Sequence, residues 1–321
     1  MTETDVAVEL PKSVVNELLL HSHKELRYQR RSRIFGYFLK GFLVIAFFIM
    51  AYVIGGSNTG GKQGDKNKPH VAFVEIYGPI MSGQLADADR LIPALQQAFK
   101  EPLVKSIALR INSPGGSPVH AGRLYHEINE LQKQYPDKPV YAVIEDLGAS
   151  AAYYIASAAD KIYVDQASMV GSIGVISAGF GFNEIMSKIG VERRVLTSGS
   201  NKALLDPYLP SDPKVQSYWK DMLAEIHEQF IAAVKEGRGN RLNIDYPDIF
   251  SGLVWTGAKS IEIGLTDGIG SLTSVSRDTI NSVNLVNYTP APDFLKQLAN
   301  KTQANLTALK YELASPIPTL F

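Results

Sequence analysis

The chemistry of this chain is first suggested by one serine. Ser150 stands in Asp146-Leu-Gly-Ala-Ser-Ala-Ala-Tyr-Tyr-Ile-Ala-Ser157, after an apolar, β-branched run, Pro139-Val-Tyr-Ala-Val-Ile144, and before an Ala-rich run. The first run reads as a buried strand and the second as a helix. Gly148 and Ala149 let the backbone turn tightly between the two, which puts Ser150 at or near the first helical turn. Free N–H groups and the positive end of a helix dipole lie there. Such a place suits a nucleophile whose attack creates an oxyanion. It also suits a helix N-cap, the usual job of a serine at that position. Taken alone, the stretch favours the cap.

A second feature is Asn112-Ser-Pro-Gly-Gly-Ser117. It reads either as a glycine-rich turn after a strand or as a backbone cradle whose N–H groups can approach an anion or oxyanion. It lacks the Gly-Lys-Ser/Thr ending of a phosphate loop and the glycine spacing of a dinucleotide site. A serine nucleophile also needs a base. His21 and His23 precede a long apolar run, His70 sits at a linker edge, and His227 falls on a long predicted helix. His120 and His126 lie on the helix after the glycine loop and are the histidines able to approach Ser150. Each fits a solvated or packed helix residue as well. Lysine is the other base, and it works only when neutral, so burial must lower its pKa. Lys202 has the supporting context, a Ser/Gly/Asn-rich loop followed by Ala-Leu-Leu and Pro207. A surface lysine is the ordinary alternative.

The elements that must position these residues follow from the hydrophobic pattern. Strands are expected over Val71–Tyr77, Val104–Ile111, Tyr141–Glu145, Lys161–Val164, Met169–Ser177 and Arg193–Leu196. Helices are expected over Leu85–Phe99, Val119–Gln134, Asn183–Ile189 and Asp212–Lys235. Thr256 and Gly264 have the positions of an N-cap and a C-terminal glycine, followed by a turn-rich exit over Leu265–Gly270. The strand–helix alternation predicts an α/β domain with a parallel sheet. Loops at the carboxyl ends of such strands carry function, and both Asn112–Ser117 and Asp146–Ser150 lie there, on one edge.

Composition narrows the classes. Lys+Arg and Asp+Glu are 32 each, so no basic footprint points to nucleic acid. The absence of cysteine excludes disulfides, zinc–thiolate sites and cysteine nucleophiles. Residues 1–33 are polar and end in Lys24, Arg27, Arg30, Arg31 and Arg33. Residues 34–54 are apolar on all sides and long enough for a transmembrane helix, with Lys40 near the basic end where it can snorkel. The basic cluster predicts a cytoplasmic N-terminal segment and an exported body. Residues 55–69 read as a flexible linker. The folded domain is expected over 70–290. The tail, 291–321, has helical spacing at Phe294, Leu295, Leu298, Leu306 and Leu309, which fits a packed terminal helix or one that seeks a partner or a membrane surface.

Four stretches then occur together and in order: Leu109-Arg-Ile-Asn-Ser-Pro-Gly-Gly-Ser117, Gly148-Ala-Ser-Ala-Ala-Tyr-Tyr-Ile-Ala156, Gly171-Ser-Ile-Gly-Val175 and Ser198-Gly-Ser-Asn-Lys-Ala203. As a set they closely resemble the signal peptide peptidase A family of membrane-anchored serine peptidases. The resemblance implies a crotonase/Clp-protease-type spiral α/β fold after one N-terminal transmembrane helix. It implies a Ser/Lys dyad with Ser150 as nucleophile and Lys202 as general base. Ser172 would orient the lysine, and the N–H groups of Gly116 and Ala151 would form the oxyanion hole. It implies no cofactor and no metal. It also implies a ring-like homo-oligomer, in which the dyad can be completed across a subunit boundary. The implied setting is the bacterial inner (plasma) membrane, crossed once, with the N-terminus cytoplasmic and the catalytic domain periplasmic or extracellular. The implied partners are the lipid bilayer and apolar peptides such as remnant signal peptides. Related Clp proteases use a histidine soon after the nucleophile, and none lies between Ser150 and His227 here. Two alternatives stay open: a crotonase-fold acyl-transfer enzyme, which shares backbone oxyanion holes, and a catalytically idle membrane scaffold.

Overall fold

The computed structural model describes residues 37, 39–48 and 64–291. They fall in two compact units that divide between Lys62 and Gln63. In the first unit, residues 39–48 are helical and mostly exposed. Among the described residues no helix is long and apolar enough to cross a membrane. The rest of the expected span over 34–54, most of the linker and the tail from 292 lie outside the described residues.

The second unit is built on one sheet. Its main path runs β6-β5-β3-β2-β1-β8, with β4 beside β3 and β7 beside β4. The central strands are β1 (His70–Tyr77), β2 (Val104–Ser113) and β3 (Val140–Ala149). Their apolar residues, among them Val74, Ile76, Leu109, Ile111, Ala142 and Ile144, are buried. Helices α1 (Ala88–Lys100) and α2 (Pro118–Gln134) bury one face each: Leu91, Leu95, Ala98 and Phe99 on the first, Ala121, Leu124, Ile128 and Leu131 on the second. Asp87 caps α1 by accepting the Asp89 N–H. Ser117 caps α2, and Pro118 follows at a position where its missing N–H is not needed.

β3 forks, and the fork positions the site. Residues Tyr141–Ile144 pair with β4 (Lys161–Val164), whereas Leu147–Ala149 pair with β5 (Met169–Gly171). The strand therefore runs past its expected end at Glu145, up to the residue before Ser150. All of these pairings are parallel; β6 (Val254–Thr256) alone runs antiparallel, against β5. β7 (Gly268–Ile269) and β8 (Leu285–Asn287) are too short to leave a periodicity in the sequence.

Two strand expectations are corrected. The predicted strand Met169–Ser177 ends at Gly171, because Gly171 (φ 101°) and Ser172 (φ 51°) turn the chain off the sheet. Arg193–Leu196 forms no strand, and among the described residues it pairs with none. From Ser172 to Asp212 the chain makes a long excursion, here called the arm, whose regular element is the short helix α4 (Asn183–Lys188). Helix α5 (Pro213–Arg238) follows, capped by Asp212, and buries Phe230, Ala233, Val234 and Arg238 at its far end. Arg238 donates two hydrogen bonds to the Asp267 carboxylate, 2.8 and 2.9 Å, and that carboxylate also accepts the Ile162 N–H at 2.7 Å. This joins the end of α5 to β4 and β7. Thr256 caps helix α6 (Gly257–Glu262), and Gly264 follows at φ 78°, both as the sequence predicts.

Candidate active site

β2, β3 and β5 are neighbours, with Ser113, Gly148 and Val170 in one row. Their carboxyl ends therefore deliver Gly115–Gly116, Ser150 and Ser172 to one edge of the sheet. The two loops singled out in the sequence meet there: a Cβ added to Gly115 would lie 2.7 Å from the Ser150 Cβ and 2.9 Å from the Ala149 oxygen. Glycine at 115 is what lets the loop close on the serine.

Ser150 has φ 54° and ψ −126°, and its side chain makes no capping hydrogen bond. A capping serine has extended backbone angles and a bonded hydroxyl, so the cap alternative does not hold. These angles are strained for a residue with a Cβ, and strain of this kind persists only where the surroundings over-determine it. They do so here. The Ser150 N–H donates to the Gly171 oxygen at 2.8 Å, and its carbonyl accepts the Tyr154 N–H at 3.0 Å. Helix α3 (Ala151–Ala156) is anchored by the buried Tyr153, whose hydroxyl donates to the Leu265 oxygen at 2.7 Å. Burial holds that phenol well above its ordinary pKa, so it remains a donor.

Beside the serine, Ile80 brackets Gly116. Its N–H donates to the Gly115 oxygen at 2.9 Å, and its carbonyl accepts the Ser117 N–H at 2.8 Å. The Gly116 N–H between them has no hydrogen-bond partner among the described residues. A Cβ on Gly116 would lie 2.3 Å from the Ile80 oxygen, and its φ is 151°, so the position needs glycine on both counts. The Ala151 N–H belongs to the first turn of α3, where helical donors lack intrahelical partners. Two backbone donors thus flank a serine whose side chain caps nothing.

A pocket of about 430 Å³ opens over Ser150. One wall is a face of α2, where Val119, Gly122, Arg123 and His126 recur at helical spacing. The opposite side takes Ile226, Gln229 and Phe230 from α5. Tyr154 lines it too, its ring stacked on Phe230 at 4.9 Å. Arg123 is paired with Asp89, and its hydrogen bond and charge hold that carboxyl below the usual carboxylate range. Behind the wall, burial pushes the Tyr125 phenol up to about 12. Tyr154 and the α2 face were detectable from spacing, since they fall one turn after Ser150 and on one stripe after the glycine loop. The α5 contribution was not, because it depends on how the chain returns after the arm.

The remaining expected residues divide. Ser172 lies on the same edge, with φ 51° and its N–H donating to the Leu253 oxygen at 2.7 Å. His126 lines the pocket. His120 accepts the Ala88 N–H at 3.2 Å and stands beside Asp87, and His227 Nε2 lies 2.9 Å from the Ile173 oxygen. Lys202 is exposed on the arm, in a turn where its N–H donates to the Gly199 oxygen at 3.2 Å, and it does not line the pocket. The described residues therefore do not supply the apolar surround expected for a neutral lysine.

A serine in a strained turn, between backbone donors at the carboxyl edge of a parallel sheet, is the kind of site that serine hydrolases of α/β architecture use. Comparison with known proteins narrows the class. Residues 132–285 match peptidase family S49. The chain is 30% identical over 236 residues to a putative protease of Methanocaldococcus jannaschii, an alignment covering 71% of this chain and 74% of that protein. It therefore belongs to peptidase family S49, the signal peptide peptidase A family of serine peptidases. It is also 30% identical over 229 residues to Protease 4 of Haemophilus influenzae, covering 70% of this chain and 36% of that protein. Identity reaches 44% over 214 residues with the Na(+)/H(+) antiporter NhaA of Brucella melitensis biotype 1, covering 65% of this chain. The chain spans only 29% of that antiporter's length.

Proposed function

We propose that this protein is a serine endopeptidase that works through a Ser150/Lys202 dyad and acts on apolar, extended peptides such as remnant signal peptides. The observation that carries the reading is Ser150 itself, strained, uncapped and flanked by the Gly116 and Ala151 N–H groups. In the mechanism, Lys202 Nζ, neutral, takes the proton as Ser150 Oγ attacks the peptide carbonyl. The two N–H groups stabilise the resulting oxyanion. The protonated lysine then gives its proton to the leaving amine, and water hydrolyses the acyl-enzyme by the same route. Ser172, on the adjacent strand end, orients the lysine. The aromatic lining of Tyr154 and Phe230 supports an apolar substrate.

We assign Lys202 to act on the Ser150 of a neighbouring copy. Its exposure supports this, as do the exposed apolar side chains of the arm: Phe180 is 82% exposed, Ile189 68% and Leu196 100%. Large apolar side chains left open along one segment suit an interaction site. A partner arm would supply the burial that a neutral lysine requires. The apolar run over 34–54 and the basic cluster before it support anchoring in the bacterial inner membrane, with the body outside the cytoplasm.

The test uses the purified full chain in detergent with denatured protein and apolar peptide esters. Hydrolysis that is lost in both Ser150→Ala and Lys202→Ala, and kept in EDTA, supports the reading. A wild-type rate in either pure variant overturns the dyad. For the anchor, protease added outside spheroplasts should digest the body and spare residues 1–33; the reverse pattern contradicts it.

A further inference from the structure

Between Gly174 and Asp212, Asp206 is the only buried residue. Its side chain is 3% exposed on an arm that has no core of its own. A carboxylate withdrawn from water needs partners, and those of Asp206 tie the arm together. Its Oδ1 accepts the Tyr208 N–H at 3.0 Å, and its Oδ2 accepts Arg193 Nη2 at 3.3 Å. The Arg193 guanidinium also lies over the Tyr208 ring, 5.5 Å from its centre. That ring stacks on Phe182 at 5.7 Å, and the Phe182 N–H donates to the Pro207 oxygen at 2.6 Å. The outgoing limb of the arm, at Phe182 and Arg193, is thus fastened to the returning limb, at Asp206–Tyr208.

Lys202 hangs from this fastening. It stands in a run of tight turns closed by Lys202 N–H to Gly199 O, Leu204 N–H to Asn201 O and Asp206 N–H to Ala203 O, each 3.2 Å. Leu205, between the lysine and the carboxylate, has φ 57°. A leucine there is strained, and it stays so only if the neighbouring geometry is held.

We propose that the Arg193–Asp206 ion pair, closed by Tyr208, is a positioning lock that fixes the turn presenting Lys202; this rests on the reading of Lys202 as the base. The lock is made of arm residues only, so breaking it should leave the body folded. Its removal should let the lysine drift from the attack geometry and from the environment that keeps it neutral.

The experiment compares Asp206→Ala, Asp206→Asn, the charge swap Arg193→Asp/Asp206→Arg and Lys202→Ala in the full chain. In Asp206→Ala, kcat should fall about tenfold to a hundredfold, as misplacement of a catalytic group does, with KM little changed. Asp206→Asn, which can still accept the Tyr208 N–H, should fall less, and the swap should recover part of the loss. The pH–kcat limb of the base should move to higher pH in Asp206→Ala, towards an ordinary lysine. A merely structural residue would instead lower the melting temperature or the oligomer mass and leave that limb in place, which would overturn the lock. If Lys202→Ala is inactive and Asp206→Ala keeps the wild-type kcat, the lock alone is refuted. If Lys202→Ala keeps its activity, the dyad fails and the lock falls with it.

Discussion

The body from His70 to Gly171 and the arm from Ser172 to Asp212 are built on different physics. In the body, parallel strands alternate with helices whose apolar faces cover them, and residues such as Leu109, Ile111, Leu124 and Ala142 are fully buried. The arm is just as apolar in places, yet Phe180, Ile189 and Leu196 lie open. The body holds Ser150 and its backbone donors through a packed core; the arm holds Lys202 through local turns and a fastening centred on one ion pair. The difference teaches that the two halves of the proposed dyad are prepared differently. The serine is preorganised by its own fold, whereas the lysine, in the proposed dyad, takes its surround from another copy.

That contrast can be broken from the body's side first. Arg238→Ala should destabilise the body and the end of α5 packed on it by about 3 kcal/mol, because it removes a fully buried side chain that bonds the Asp267 carboxylate and the Gly264 oxygen and leaves that carboxylate only Arg241 and the Ile162 N–H. A urea titration followed by tryptophan fluorescence would show the lowered midpoint. Gly116→Ala should reduce kcat by about 10²–10³-fold, the effect of losing one oxyanion donor, since a Cβ would collide with the Ile80 oxygen and displace the loop. Steady-state kinetics check it, with a melting curve to confirm that the fold survives.

Acid gives a finer probe. Burial pushes the Asp267 carboxyl up, but the Arg238 hydrogen bond and charge, the Ile162 N–H and the Arg241 charge outweigh it and hold the group below its ordinary value. A carboxyl depressed in the folded state stabilises that state above its unfolded pKa, about 3.9, and the contribution is lost as pH falls through the folded value. Asp267→Asn should therefore flatten the acid side of the stability profile below about pH 4 while lowering stability at neutral pH. The smallest effect on stability belongs to the arm. Leu196→Asp should leave the denaturation midpoint of the body unchanged and abolish both oligomer and activity; light scattering and peptide hydrolysis read the two losses.

Sequence reasoning reached the body more fully than the arm, and the reasons are physical. Strands β1 to β4 and the helices between them satisfy their own periodicity with their own neighbours, so pattern and fold agree. The glycines at 115 and 116 and the serine at 150 were legible because each loop follows a strand on the same edge. The forked pairing of β3 and the three-residue strand β8 arise from distant contacts and leave no local trace. Arg193–Leu196 has the composition of a strand and forms none within the chain. Such a segment states a preference for pairing without naming its partner. The burial of Asp206 was hidden for a similar reason, since it comes from Arg193 and Tyr208 folding over it.

The most direct measurement mixes two inactive chains. Ser150→Ala and Lys202→Ala proteins are dissociated together, reassembled at equal ratio and assayed on an apolar peptide ester. With the dyad shared between copies, about a quarter of the sites in a randomly mixed ring combine an intact serine with an intact lysine, and activity should return to about that fraction of wild type. No recovery from mixed assemblies of normal mass would contradict the account and return Lys202 to the serine of its own chain.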